Sequence, residues 1–312
     1  MTIMKGVGSQ PRNRTGRSGH ATRRQRAARA AIPYLYLVPA ATFFIIFVLV
    51  PLGQTLYLSF YDWNGISAGT WVGVDNFVRA FQDPDTIAAL SHSLVFIITF
   101  CVIPVILGVT FAAVLSKQQV RGLAFFRTVI FVPQVISSVV IGVAWRWMYQ
   151  DTGTVNQVLG FFGIPSTTPW LGDFTWALPA IGLVGTWVMT GLCMVLFLSG
   201  VGRIDGDLYD AAKVDGAGPF REFFNVTLPG LRPELIVATT ITIIAALRTF
   251  DLVFVTTQGG PGKSTIVPGT EIYRTAFREG DIGYASTLAV ILAVVIFALV
   301  RGVNYVLREE KA

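Results

Sequence analysis

Charge is scarce in this chain: 13% of its 312 residues are Asp, Glu, Lys or Arg, whereas 53% are hydrophobic. One soluble core of this length cannot bury that much apolar surface, so an ordinary soluble globule is excluded. Histidine is scarcer still, with His20 and His92 alone, and neither has further ligand types spaced around it, so no metal centre is expected. The two cysteines, Cys101 and Cys193, fall in long apolar stretches where a thiol behaves as a small apolar side chain. They make no disulfide framework. Also missing are the paired carboxylates, or the Ser, His and Asp set at one depth, that a membrane enzyme would need. The run Gly259-Gly260-Pro261-Gly262-Lys263-Ser264-Thr265 imitates the end of a phosphate-binding loop, but the first glycine of such a loop would stand where Thr257 is. No nucleotide site, and no enzymatic chemistry, is expected of this chain.

What it has instead is six apolar runs, over approximately 35–57, 90–115, 123–148, 176–199, 235–255 and 282–300. Each is near the roughly 20 residues that carry a helix across a hydrocarbon core about 30 Å thick. The runs are continuous, not alternating, which excludes barrel strands and predicts an all-α membrane protein of six transmembrane helices. The first run is too long for the core of a cleaved signal peptide and no small-residue cleavage pattern follows, so it reads as an anchor.

Charge placement sets the orientation. Eight of the 24 Lys and Arg residues precede residue 30, so residues 1–30 read as a basic cytoplasmic tail and residues 31–312 as the transmembrane domain. That tail accounts for the net charge of +6 without invoking nucleic acid. Lys117, Arg121 and Arg127 around the second connection, and Arg203, Lys213, Arg221 and Arg232 around the fourth, place both connections inside. The first and third connections carry Arg79 alone and read as external. The fifth mixes Lys263, Arg274 and Arg278 with Glu271, Glu279 and Asp281, and the helix count places it outside. Arg301, Arg308 and Lys311 agree with a cytoplasmic C-terminus. Trp63, Trp71, Trp170 and Trp176 near the external connections read as interfacial belt residues.

The fourth connection, about 200–233, is too long for a simple turn. Asp205 or Asp207 can cap a short helix that runs to Val214 and ends at Gly216, and Pro219 can open a second that carries Phe220, Phe223 and Phe224 and stops at Leu228-Pro229. Such an apolar face seeks cover, from the headgroups of membrane lipid or from a partner's groove. In the fifth run, Arg248 and Asp251 are three residues apart and share a helical face, either neutralising each other or meeting a solute. Gly182 and Gly185 in the fourth read as packing notches, and Gly191 as a notch or a point of unwinding.

Two stretches carry a resemblance. The run Leu208-Tyr209-Asp210-Ala211-Ala212-Lys213-Val214-Asp215-Gly216-Ala217, followed by Val226-Thr227-Leu228-Pro229, resembles the EAA loop of ATP-binding-cassette importer permeases, spacing included. Asp210 stands where many members have Glu. Phe250-Asp251, Thr257-Gln258-Gly259-Gly260-Pro261, Tyr273, Ala276-Phe277 and Gly283-Tyr284-Ala285, with Arg127-Thr128, Pro133 and Trp145, are similar to the carbohydrate-uptake subfamily related to the maltose and glycerol-3-phosphate systems.

The resemblance implies a type I importer permease fold in the cytoplasmic membrane. It implies as partners a second homologous permease, two cytoplasmic ATPase subunits holding ATP and Mg, and an external solute-binding protein. The solute it implies is a sugar, a polyol or a glycerol-phosphate-type compound, moved by alternating access. Leu208, Tyr209, Asp210, Ala211, Ala212, Val214, Asp215, Gly216, Leu228 and Pro229 would form the ATPase coupling site, Asp210 by charge and the small residues by closeness. Aligned on Trp187 and on Gly259-Gly260-Pro261, the solute-holding positions of the maltose permease fall on Val188, Met189, Leu192, Thr242, Ala245, Ala246 and Thr249. Several of these are less polar here, which leaves open whether this chain or the partner permease holds the solute. Gly259, Gly260 and Pro261, and the segment 61–85, would face the binding protein. The competing class is an ion-coupled secondary transporter. It needs coupling carboxylates and usually an internal repeat; Asp251 is the one candidate and no repeat is evident.

Overall fold

The computed structural model of the protein describes residues 36–116, 122–164 and 167–309. The basic tail expected over residues 1–30 lies outside the described residues, as do Lys117 and Arg121. The chain divides into two units, residues 1–53 and residues 54–312. The described part of the first unit is helical throughout, with a π-helical turn over Ile45–Leu49.

Among the described residues, five helices are long and apolar enough to cross a membrane: Tyr36–Leu58, Pro84–Leu115, Ala177–Val201, Arg232–Thr256 and Ile282–Leu307. The run at 123–148 is not the single helix its hydropathy suggests. It is a pair, Leu123–Val135 and Ser138–Met148, bent by 99°. Pro133 supplies no N–H to the last turn of the first half, and Ile136 and Ser137 leave helical geometry with ψ of 139° and 135°. A proline followed by a Ser-Ser pair is a recurrent cause of a sharp break. We number the six spans in chain order, counting this pair as the third.

Proline acts differently elsewhere. Three π-helical turns, Ile45–Leu49, Ile98–Val102 and Phe223–Thr227, each close on the residue just before a proline: Val50 before Pro51, Ile103 before Pro104, Leu228 before Pro229. In each, that residue's N–H reaches the carbonyl five positions back. A proline ring strikes the carbonyl four residues earlier, and widening the preceding turn carries that carbonyl away. The expectation that Leu228-Pro229 stops its helix is therefore corrected. The chain stays helical over 219–230 and departs only at Leu231.

Within the second unit, the fourth span packs closely on the second and third. A Cβ at Gly185 would stand 1.9 Å from Phe100 Cε2, one at Gly182 2.8 Å from Thr99, and one at Gly191 2.2 Å from the Ile130 carbonyl oxygen. All three are packing notches, since any larger residue would strike the Thr99 or Phe100 side chain or, at Gly191, the backbone of Ile130. Phe96, Phe100, Ile181 and Val184 form the centre of one apolar cluster; Val109, Cys193, Phe197 and Leu231 form the centre of another, nearer the fourth connection.

The fifth span is interrupted. Its helix ends at Leu247, residues 248–250 are irregular, with Phe250 at φ −131° and ψ −60°, and Asp251 begins a new helix to Thr256. Arg248 and Asp251 therefore do not share a helical face, and no ion pair joins them among the described contacts. A short hairpin pairs Tyr61 with Trp71 and Asp62 with Thr70 ahead of the Asp75–Gln82 helix.

Candidate functional site

The irregular residues 248–250 line a cavity of about 390 Å³ in the second unit. Non-helical backbone at membrane depth is tolerated where it lines a cavity or is buried in protein, because its polar groups otherwise go unsatisfied. Val188 and Met189 of the fourth span and Ala245, Arg248, Thr249 and Asp251 of the fifth stand on the cavity wall, so six of the residues expected on the pathway meet there. The Thr249 hydroxyl donates to the Ala245 carbonyl at 2.8 Å. Arg248 and Asp251 are both exposed on that wall, one charge of each sign among largely apolar neighbours.

Four expected residues are not on this wall. Thr242 is fully buried, its hydroxyl donating to the Ala238 carbonyl at 2.8 Å, and Ala246 belongs to the core. Helical periodicity explains both, since 241, 244, 245 and 248 share one face of the fifth span and 242 and 246 the other. Leu192 is half-buried. Trp187 stands edge-on to Trp145 at 5.6 Å. The wall also includes Phe100, Ser138 and Phe250, which sequence reasoning missed. The Phe250-Asp251 pair was the available signal for one of them.

The loop between the fourth and fifth spans carries the short helix Gly206–Val214. Asp205 caps it, its side chain accepting from the Asp207 N–H at 3.1 Å. Its end is a Schellman closure: the Gly216 N–H reaches the Lys213 carbonyl and the Ala217 N–H the Ala212 carbonyl, with Gly216 at φ +75°. Only a residue without a Cβ takes that φ without cost. Leu208 is 55% and Val214 88% exposed, and Asp210, Ala211 and Asp215 are exposed beside them. Tyr209 turns inward, its hydroxyl 3.0 Å from Thr227 Oγ1. Lys213 Nζ lies 2.9 Å from Asp210 Oδ1, and that carboxylate raises the lysine's affinity for its proton. Leu228 is half-buried and Pro229 exposed, both in the later segment Leu228–Gly230 and not in this helix.

The loop between the fifth and sixth spans is built otherwise. Gly259 takes φ +91° and the Gly260–Pro261 peptide is cis. The Thr265 hydroxyl donates to the Gly260 carbonyl at 2.7 Å and approaches Thr257 Oγ1 at the same distance. Asp85, at the entry to the second span, pairs with Lys263 and, at 3.0 Å, with Arg274. Arg274 also binds Glu271 and Glu279, and its bond to Glu271 holds the guanidinium's pKa above its ordinary value against the opposing effect of burial. Arg79 meets Asp281 at 2.7 Å and lies 3.9 Å above the Tyr284 ring. Arg79, Asp85, Lys263, Glu271, Arg274 and Glu279 rim an open cleft of about 690 Å³.

Residues 105–309 match the family of binding-protein-dependent transport system inner membrane components. The chain is 36% identical to the probable ABC transporter permease protein YurN of Bacillus subtilis, over 86% of this chain and 93% of that one. It is 37% identical to the diacetylchitobiose uptake system permease protein NgcF of Streptomyces coelicolor, over 83% of this chain and 76% of that one. It is 32% identical to the lactose transport system permease protein LacF of Rhizobium radiobacter, over 89% and 94%. Among solved structures, a bacterial alginate ABC transporter in complex with its alginate pentasaccharide-bound periplasmic protein superposes with a TM-score of 0.78 over 91% of this chain and 96% of that chain, at 23% identity.

Proposed function

The chain belongs to the family of binding-protein-dependent transport system inner membrane components, and from that premise we propose that it carries a sugar or a related polyol or glycerol-phosphate-type solute through the cavity between its fourth and fifth spans. It is a multi-pass membrane permease subunit of an ATP-binding-cassette importer. The observation that carries the pathway is the helix break at 248–250, which presents Arg248 and Asp251 to an otherwise largely apolar cavity. Intramembrane charges are costly, and those retained mark solute paths. A wall of net zero charge suits a neutral, hydroxyl-rich sugar or polyol better than an anionic glycerol phosphate. The carboxylate accepts from hydroxyls, the guanidinium donates to them, and Phe100 and Phe250 cover the apolar face of a ring. The names of the diacetylchitobiose and lactose permeases support the same class.

Energy enters from outside the chain. Of two ATPase subunits on the cytoplasmic side, holding ATP and Mg, one receives the Gly206–Val214 helix, whose exposed Leu208, Asp210, Ala211 and Val214 fit a docked rather than a solvated surface. A second homologous permease completes the pathway, and the solute-binding protein docks on the face that bears Gly259, Gly260 and Pro261. An ion-coupled mechanism lacks support: Asp251 was its candidate carboxylate in the sequence, and family membership favours ATP.

Uptake of labelled lactose, diacetylchitobiose and alginate oligosaccharide by cells carrying the whole importer tests this reading. For an accumulated solute, Arg248→Ala and Asp251→Ala each lower uptake by about tenfold or more while the protein still inserts, and the double variant stays low. Recovery in the double variant would make the two a neutralising pair and end their assignment to the solute.

A further inference from the structure

The loop between the fourth and fifth spans is held shut at its neck. Arg203, just past the end of the fourth span, pairs with Glu234 in the first turn of the fifth. Gly200 makes room for this closure: a Cβ there would stand 2.6 Å from Leu231 Cδ2 and 2.7 Å from Glu234 Cδ. Gly230 does the same on the other strand, where a Cβ would come within 2.7 Å of Ile204 Cδ1. Leu231 is fully buried, clustered with Phe197 of the fourth span and Ala238 of the fifth. The pair is lopsided, with the Glu234 side chain 8% exposed and the Arg203 side chain 71%.

We propose that Arg203 and Glu234 are positioning residues that clasp the neck of this loop, so that displacement of the Gly206–Val214 helix moves the fourth and fifth spans together. The inference rests on the reading of that helix as the ATPase coupling site. The two spans supply opposite parts of the cavity wall, Val188 and Met189 from one and Ala245 to Asp251 from the other. The chain departs from regular helix at both ends of the neck, around Gly202 and at Leu231. A pull on an unclasped loop would be absorbed at those two joints. A cross-tie that ends on a buried carboxylate resists opening, because opening it strands the charge.

The lopsided exposure separates this role from a merely structural one. Arg203→Gln leaves Glu234 buried without its cation and lowers thermal stability, whereas Glu234→Gln leaves an arginine already in water and lowers it less. A clasp is lost equally in both. The importer is assembled with its ATPase subunits in nanodiscs, with Cys101→Ala, Cys193→Ala and a cavity reporter, Ala245→Cys. Its reaction with a water-soluble maleimide is followed with and without ATP, Mg²⁺ and vanadate. With the native neck, nucleotide changes the reaction rate. Arg203→Gln and Glu234→Gln both shrink that change by roughly three- to tenfold while ATP hydrolysis continues, and Arg203→Lys preserves it. A full response in Glu234→Gln, or losses that follow the order of thermal stability, overturn the clasp alone. No nucleotide response with the native neck, or a full one in Asp210→Arg, overturns the coupling reading and the clasp with it.

Discussion

Two loops of this chain meet the same demand, to cross from one span to the next outside the hydrocarbon, and answer it in opposite ways. Residues 257–281 bury polar side chains: Thr265 and Thr275 are inaccessible, Glu271 is 2% exposed, and partners come from far away in sequence, as in Asp85 to Arg274, His92 to Ile266 and Arg79 to Asp281. Residues 202–231 expose apolar ones, Leu208, Val214, Phe220 and Phe224, and carry local side-chain ties, Tyr209 to Thr227, Lys213 to Asp210 and Arg203 to Glu234. The first loop is a built part of the bundle. The second rests on the bundle through Phe223 and Leu228 and offers its remaining apolar surface to something else, as expected of an attachment and not of a platform.

The largest effect expected from this contrast lies in the first loop. Arg274→Ala removes the cation that satisfies the nearly inaccessible Glu271 together with Asp85, and an unpaired buried carboxylate costs about 3–5 kcal/mol. Thermal unfolding of the permease in nanodiscs reads that loss directly. A change of less than about 1 kcal/mol, the scale of a surface pair, would show that the network does not hold the loop, and the contrast between platform and attachment would break there.

The second loop gives a smaller effect with a sharper meaning. Gly216 takes φ +75°, yet a Cβ built there meets nothing within 4 Å. Gly216→Ala and Gly216→Trp should therefore cost the isolated permease about the same, on the order of 1–2 kcal/mol for the left-handed backbone. Only a docked partner distinguishes them. Co-purification with the ATPase subunits is expected to survive the alanine and fail with the tryptophan. Equal assembly of both would mean that nothing packs against Gly216.

This loop was also the most legible part of the sequence, and the reason is that its signals are local. A capping aspartate, a glycine at the left-handed closure and a proline at the next start each act within a few residues, so the Gly206–Val214 helix appeared where the sequence placed it. The apolar spans were legible for the same reason, because hydropathy needs only a window. What escaped depends on contacts or on backbone the window averages out. The breaks at 136–137 and 248–250 sit inside runs whose average hydropathy still reads as one span. The π-helical turns that let Pro51, Pro104 and Pro229 stay in helices defeat the rule that proline ends one. The ties of Asp85 to Lys263 and Arg274 join residues nearly two hundred positions apart, and no spacing announces them. On the pathway, alignment found residues from both faces of the fifth span; the fold admitted Ala245 and Thr249 to the cavity and turned Thr242 and Ala246 into core.

The smallest effect on stability belongs to Lys213, and it tests the sign of the attachment. Its pairing with Asp210 joins two exposed side chains, 60% and 75% accessible, and such a pair contributes little to folding. Lys213→Ala is expected to leave the unfolding midpoint of the isolated permease where it was. If Asp210 is the group that a basic residue of the ATPase meets, removing Lys213 frees it from an internal competitor, and binding of the ATPase subunits in a titration stays equal or tightens. The reverse result would be more instructive than a null one. Were Lys213→Ala to abolish assembly as fully as Asp210→Arg, the aspartate would be serving to hold the lysine in place. The attachment would then be positive, and the surface it fits on the ATPase would have to be acidic.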